Sequence, residues 1–254
     1  MKRWLSVILY SVGAGILMSC STQYMVQGNT SDSELEGKTL NLQSIYADKP
    51  YTIASSKVTH GMFDFTGTVD STIIALVPLP NNSVLPVVLE MGDIQISIDN
   101  RSSVVTGSPL NDALYTFFRK NDELDEQLYR LGMQINQLEQ MSQVSQMLTG
   151  RFIESDLVRD ARRRANRVYL SRENYIRNFI VDNSDNVLGQ YVFLASLRNA
   201  DFPLSYECVE DILAHVKPQF GTDPNIARFL HDNNLIITSD PSIGKMRNTK
   251  KKRK

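Results

Sequence analysis

Side chains able to do chemistry are few and scattered in this sequence. The three histidines, His60, His215 and His231, stand far apart, and none falls at the short spacing that gathers ligands around one metal ion. Cys208 sits in Tyr206-Glu207-Cys208-Val209, on an expected helix. A nucleophilic thiol needs a neighbouring base or a positive setting to ionise near neutral pH. His215 is seven residues further on, about two helical turns, so it shares a face with Cys208 but lies out of direct reach. An inert, buried thiol is the simpler reading, since free cysteine is among the most buried residue types. No Cys-x-x-Cys pair, Walker A loop, Rossmann glycine pattern, Gly-x-Ser-x-Gly elbow or His-Glu-x-x-His is present. Carboxylates are plentiful, yet no pair stands out as a glycosidase dyad. The sequence therefore nominates no catalytic residue, no metal ligand and no cofactor-binding residue.

The densest charge is Arg159, Arg162, Arg163, Arg164, Arg167 and Arg172. Two readings stand. The arginines meet anionic lipid headgroups or an acidic partner. Alternatively they form a solvated helix face opposite Asp122, Glu123, Asp125, Glu126 and Glu139, in exposed pairs of small individual worth. A formal net charge of −1 gives no global case for nucleic acid, and none is expected as a partner.

The N-terminus reads as a targeting segment. Lys2 and Arg3 precede Trp4 to Leu17, an uncharged and mostly apolar run too short to span a bilayer. Leu17-Met18-Ser19-Cys20 resembles the lipobox of bacterial lipoproteins. The resemblance implies a signal peptide over 1–19, cleaved before Cys20, and a lipid on Cys20. Two or more acyl chains at about 0.8 kcal/mol per buried CH₂ give stable anchoring without spanning. The plain alternative is an ordinary signal peptide and a soluble mature chain. With Cys20 lipidated, Cys208 is left without a disulfide partner. Residues 20–33 are polar without period and read as a flexible tether. They lack the acidic run just after the cysteine that goes with surface export in Bacteroides-type lipoproteins, so the resemblance to lipoproteins implies the outer membrane, facing the periplasm, as the expected address.

The elements that must position these residues divide near residue 108. Before it the period is that of strands. Leu40 and Leu42 alternate, as do Phe63 and Phe65; Ile73 to Val77, Val87 to Leu89 and Ile94 to Ile98 are β-rich. His60-Gly61 marks a tight turn, and Glu90-Met91-Gly92-Asp93 a hairpin connection. Short strands at this spacing predict a β-sandwich or an open barrel of about six to eight strands over 34–107, the sandwich being the reading adopted.

From Ser108 the period becomes helical, with Ser108 as cap and Pro109 at the first position. Leu110, Leu114, Phe117, Leu124, Leu128, Leu131, Ile135 and Leu138 form one stripe, with Asn121 interrupting it. A break at Gly150 and a second helix with inner face Leu157, Ala161, Ala165, Val168, Ile176 and Phe179 predict an antiparallel hairpin. Self-association through the long helix is the alternative. Three shorter helices follow, from Val187, from Ser205 as cap and from Asp223-Pro224. The helical domain is set at 108–238. Residues 239–254 close on Lys250 to Lys254 as a disordered basic tail, either solubilising or in contact with membrane.

Four stretches carry a family resemblance: Leu35-Glu36-Gly37, Gly61 to Gly67, Leu85 to Asp93, and Val105 to Asp112. Together they resemble the Bacteroides-type lipoprotein domain of unknown function numbered 4369. Its motifs are structural, and no catalytic residue carries over from it. In many relatives a thioredoxin-like domain follows. Ser242-Ile243-Gly244-Lys245 resembles the linker before that domain, which is missing here. The expectation is an α+β chain: an N-terminal antiparallel β-sandwich-like domain, then a helical domain with a long hairpin. Its expected role is a lipid-anchored, non-enzymatic cell-envelope binding or scaffold module for a partner protein or ligand, with the helical domain as the surface for a protein partner. The alternatives are an accessory to a thioredoxin-like reductase acting in trans, and a hydrolase whose site escapes sequence reading.

Overall fold

The computed structural model describes residues 22–44, 51–99, 102–149 and 156–237. Cys20, the expected signal peptide, the break at Gly150 and the basic tail lie outside the described residues. Eight strands build two four-stranded sheets: β1 Thr22–Thr30, β2 Thr39–Ser44, β3 Thr52–Lys57, β4 Met62–Val69, β5 Ile73–Pro78, β6 Val84–Leu89, β7 Gly92–Ile98 and β8 Ser103–Thr106. One sheet has the order β4-β1-β7-β8 and the other β3-β2-β5-β6. All neighbours pair antiparallel except β1 and β7, which run parallel. Between the sheets lie Tyr24, Val26, Leu42, Phe65, Val77, Val87, Ile94 and Ile96. Burial of apolar side chains from both inner faces is what holds the layers together.

The reading of 20–33 as a tether is overturned. Residues from Thr22 to Thr30 form a central strand between β4 and β7. Tyr24 and Val26 are buried, while Gln23, Met25 and Gln27 are exposed, which is strand alternation. The third inward position is Gly28, whose partner in register is Phe63. A Cβ on Gly28 would stand 2.0 Å from the Phe63 ring, so the aromatic fills the place of the missing side chain. The apolar rhythm of β1 is completed by its neighbour, and so is short in the sequence. Asp32 then accepts from the Glu34 N–H and caps a 3₁₀ turn, Ser33–Leu35, that buries Leu35.

The hairpin expected across Glu90 to Asp93 does not form either. β6 and β7 belong to different sheets. The short link crosses between layers, and Gly92 at φ 128° takes a backbone angle costly to other residues. The His60-Gly61 turn does form, with φ 53° and 72° and paired hydrogen bonds between Thr59 and Met62. Glu36 clamps it: the carboxylate accepts from the His60 and Gly61 N–H groups at 2.9 Å each.

Helix α1, Pro109–Thr149, begins at the end of the sandwich where β1 and β7 begin. It runs back along β6, an edge strand, and seals it. The Asn111 side chain accepts from the Val88 N–H at 2.9 Å and donates to the Val88 carbonyl at 2.8 Å. Pro86 has no N–H, and the Tyr115 hydroxyl donates to its carbonyl at 2.9 Å. Side chains of the helix thus stand in for a missing strand and block further strand addition.

Helix α2, Asp156–Asp182, returns antiparallel to α1. Arg162 meets Glu139 at 2.7 Å far along the pair, and Phe117 packs on Phe179 at 4.4 Å near its base. The hairpin is the expected one, with two changes. Leu157 is not inward but 65% exposed, and Val158 is buried in its place. Helices α3 (Val187–Leu197), α4 (Tyr206–His215) and α5 (Pro224–Asp232) close a second core with Ile74 and Val88 from the outer face of the β5–β6 sheet. The helical region is therefore packed on the sandwich.

Candidate functional site

The second change concerns Arg172, read from sequence as one of a solvated cluster. It is 1% exposed. Its Nε donates to Asp125 on α1, its Nη1 donates to the Phe202 carbonyl at 3.0 Å, and its guanidinium lies over the Phe202 ring. Asp125 also accepts from Asn121 at 2.9 Å. Glu173 beside it accepts from the Ser205 N–H, and the Tyr169 hydroxyl donates to the Pro203 carbonyl at 2.6 Å. These bonds pin the loop between α3 and α4 to the middle of the hairpin. Arg172 directs its hydrogen bonds to Asp125 and to the Phe202 carbonyl, joining α1, α2 and the α3–α4 loop as a strut. Of the acids expected opposite the cluster, Glu139 takes Arg162 and Asp125 takes Arg172, whereas Arg159 and Arg164 pair within α2 with Asp156 and Asp160, and Glu123 and Glu126 pair within α1 with Lys120 and Arg130.

Cys208 is half-buried on α4, and its Sγ contacts the Glu173 carbonyl at 3.9 Å. Burial pushes its thiol up to about 12, with the Glu173 and Asp211 charges adding to the effect. Such a thiol carries almost no thiolate near neutral pH. His215 turns to its own helix, with Nδ1 2.7 Å from the Asp211 carbonyl. Among the described residues no group of three or more His, Cys, Asp or Glu side chains is placed to hold a metal ion.

Among the described residues, two of the surface recesses are sizeable. One, of about 410 Å³, lies where α3 and α5 cover the outer face of β5 and β6. Leu76, Val84, Tyr191 and Leu194 give it apolar walls, with Gln190, Arg198 and Asp223 among its polar lining. Asp223 is committed to capping α5, accepting from the Asn225 and Ile226 N–H groups. The other, of about 290 Å³, lies at the far end of the sandwich among Asp32, Glu34, Asn81 and Asp99. Neither gathers a nucleophile with a base.

The feature without a structural duty is the outer face of α1 beyond the sandwich. Leu124 and Leu128 are buried, but no described residue of α1 after Leu128 is. Tyr129, Met133, Val144 and Met147 are all more than half exposed, on the side away from α2. From Leu131 to Thr149 the helix has one formal charge, Glu139, which Arg162 takes up. A solvated helix face is ordinarily charged, and an uncharged exposed face marks a contact surface. The inward stripe was readable from sequence. The outward one carries its own signal, since the steps of four, eleven and three residues from Tyr129 to Met147 fit one helical face.

Residues 24–114 match the family model described as Domain of unknown function (DUF4369). The match covers the sandwich and the first residues of α1, as the glycine turns and the helix start implied. No curated protein and no solved structure matches the chain.

Proposed function

We propose that this chain is a cell-envelope lipoprotein, anchored through Cys20 to the outer membrane on its periplasmic side, that binds a protein partner through the helical hairpin and catalyses no reaction. The observation that carries the binding reading is the uncharged face of Tyr129, Met133, Val144 and Met147. A surface without charge selects a partner surface that is also apolar and uncharged, because a charged one would lose hydration without gaining a counter-charge. The anchor rests on the lipobox-like Leu17 to Cys20. The high thiol of Cys208 makes this chain a poor carrier of disulfide chemistry, so a role beside a reductase would be one of docking.

The test is crosslinking in cells. A photoreactive residue at Met133 or Met147 is expected to yield one defined adduct, identified by mass spectrometry. The same residue at Met62, on the outer face of the sandwich, is expected to yield none. Adducts no more specific at Met133 than at Met62 would contradict the reading, and recovery of a thioredoxin-like reductase would name the partner of the alternative.

A further inference from the structure

The geometry points to a fixed orientation on the membrane: the sandwich end that carries Met91 rests on the lipid surface, and the helical hairpin stands away from it. This rests on the lipid at Cys20 proposed above. β1 begins at Thr22, two residues after Cys20, and by Tyr24 the chain is locked between β4 and β7. Two residues reach at most about 7 Å even when fully extended. A lipidated Cys20 has no slack, and the first end of β1 must lie at the membrane surface.

The same end holds the β4–β5 turn at Asp70, the β6–β7 link at Met91 and the start of α1. Thr22 pairs with Val69, Tyr24 with Gly92, and a Cβ on Gly107 would stand 2.6 Å from the Asp93 carbonyl oxygen. Met91 is 75% exposed there, an apolar side chain suited to the headgroup boundary. From this end α1 climbs along β6, Asn111 meeting Val88 and Tyr115 meeting Pro86. At 1.5 Å per residue the rest of α1 carries Met147 about 50 Å beyond the level of Tyr115.

Arg162 sits level with Glu139, thirty residues into α1, about 45 Å from the anchored end. A Debye length of about 8 Å at physiological salt leaves no attraction across that gap. The anchoring membrane is therefore not what the arginine-rich face meets.

The test uses the full lipidated chain with Cys208→Ser, purified from membranes and reconstituted into vesicles of phosphatidylethanolamine and phosphatidylglycerol with a headgroup nitroxide. Single fluorophores are placed through Met91→Cys or Met147→Cys, at two strongly exposed positions. Strong quenching at 91 and none above background at 147 is the expected result. Equal quenching at both, or more at 147, in a chain that floats with the vesicles overturns the orientation and leaves the anchor standing. A chain that floats no better than its Cys20→Ala variant overturns the anchor, and the orientation with it.

Discussion

At the scale of single residues, the structure depends on a few buried polar groups with specific partners, although the buried Asn121 Oδ1 beside Asp125 accepts no hydrogen bond from the described residues. Arg172 is the sharpest case, a buried guanidinium whose charge is met by Asp125. Removing the carboxylate leaves the cation unpaired in a poor solvent. Asp125→Ala is expected to cost about 3 kcal/mol in urea unfolding, and Asp125→Ala with Arg172→Met to recover most of that. A double variant no better than the single one would mean that the pair is not coupled. Glu36 gives a pH signature. Hydrogen bonds from the Gly61 and His60 N–H groups hold its carboxyl below the usual range. Its stabilisation is full above the unfolded value of about 4.3 and is lost as pH falls through the lower folded value. The urea midpoint gap between the parent and Glu36→Gln should therefore be constant above about pH 5 and narrow below about pH 4. Arg172 was legible in principle. Val168, Arg172 and Ile176 follow one another at steps of four, on the inward face, but the density of neighbouring arginines suggested solvent.

At the scale of elements, helix starts were the most legible. Ser205 and Asp223 announce α4 and α5 through their capping side chains, and each bonds the backbone N–H groups that capping requires. β1 was the least legible, because its rhythm runs through a glycine that only the Phe63 ring explains. Strand pairing is a property of two segments, and one segment alone does not state it. The sealing of β6 belongs to the same class. Asn111 looks like an ordinary first-turn residue, yet it serves both polar groups of Val88, 23 positions earlier in the chain. Asn111→Ala leaves a buried N–H and a buried carbonyl unmet and is expected to cost about 3 kcal/mol. Asn111→Asp, which can accept but not donate, should fall between. Urea titration checks the ranking, and equal losses for both variants would mean that the donated bond contributes nothing.

At the scale of the whole molecule, two apolar cores meet across the β5–β6 sheet, whose inner face serves one and whose Ile74 and Val88 serve the other. The hairpin rises from that body and offers a face that folding does not use. No helix among the described residues is long and apolar enough to cross a membrane. The division into strands and then helices was readable from the change of period at Ser108. How the halves sit on each other was not, because the sequence cannot say that Val88 faces the helices while Val87 faces the strands. The hairpin projects away from the sandwich end at which β1 begins. The most direct measurement is the electron–electron distance between spin labels at Met91→Cys and Met147→Cys, with Cys20 and Cys208 replaced by serine. A single population on the order of 60 Å is predicted from the length of α1. A population centred below about 35 Å, little more than the height of a nine-residue strand, would mean the hairpin lies folded against the sandwich and would contradict the account.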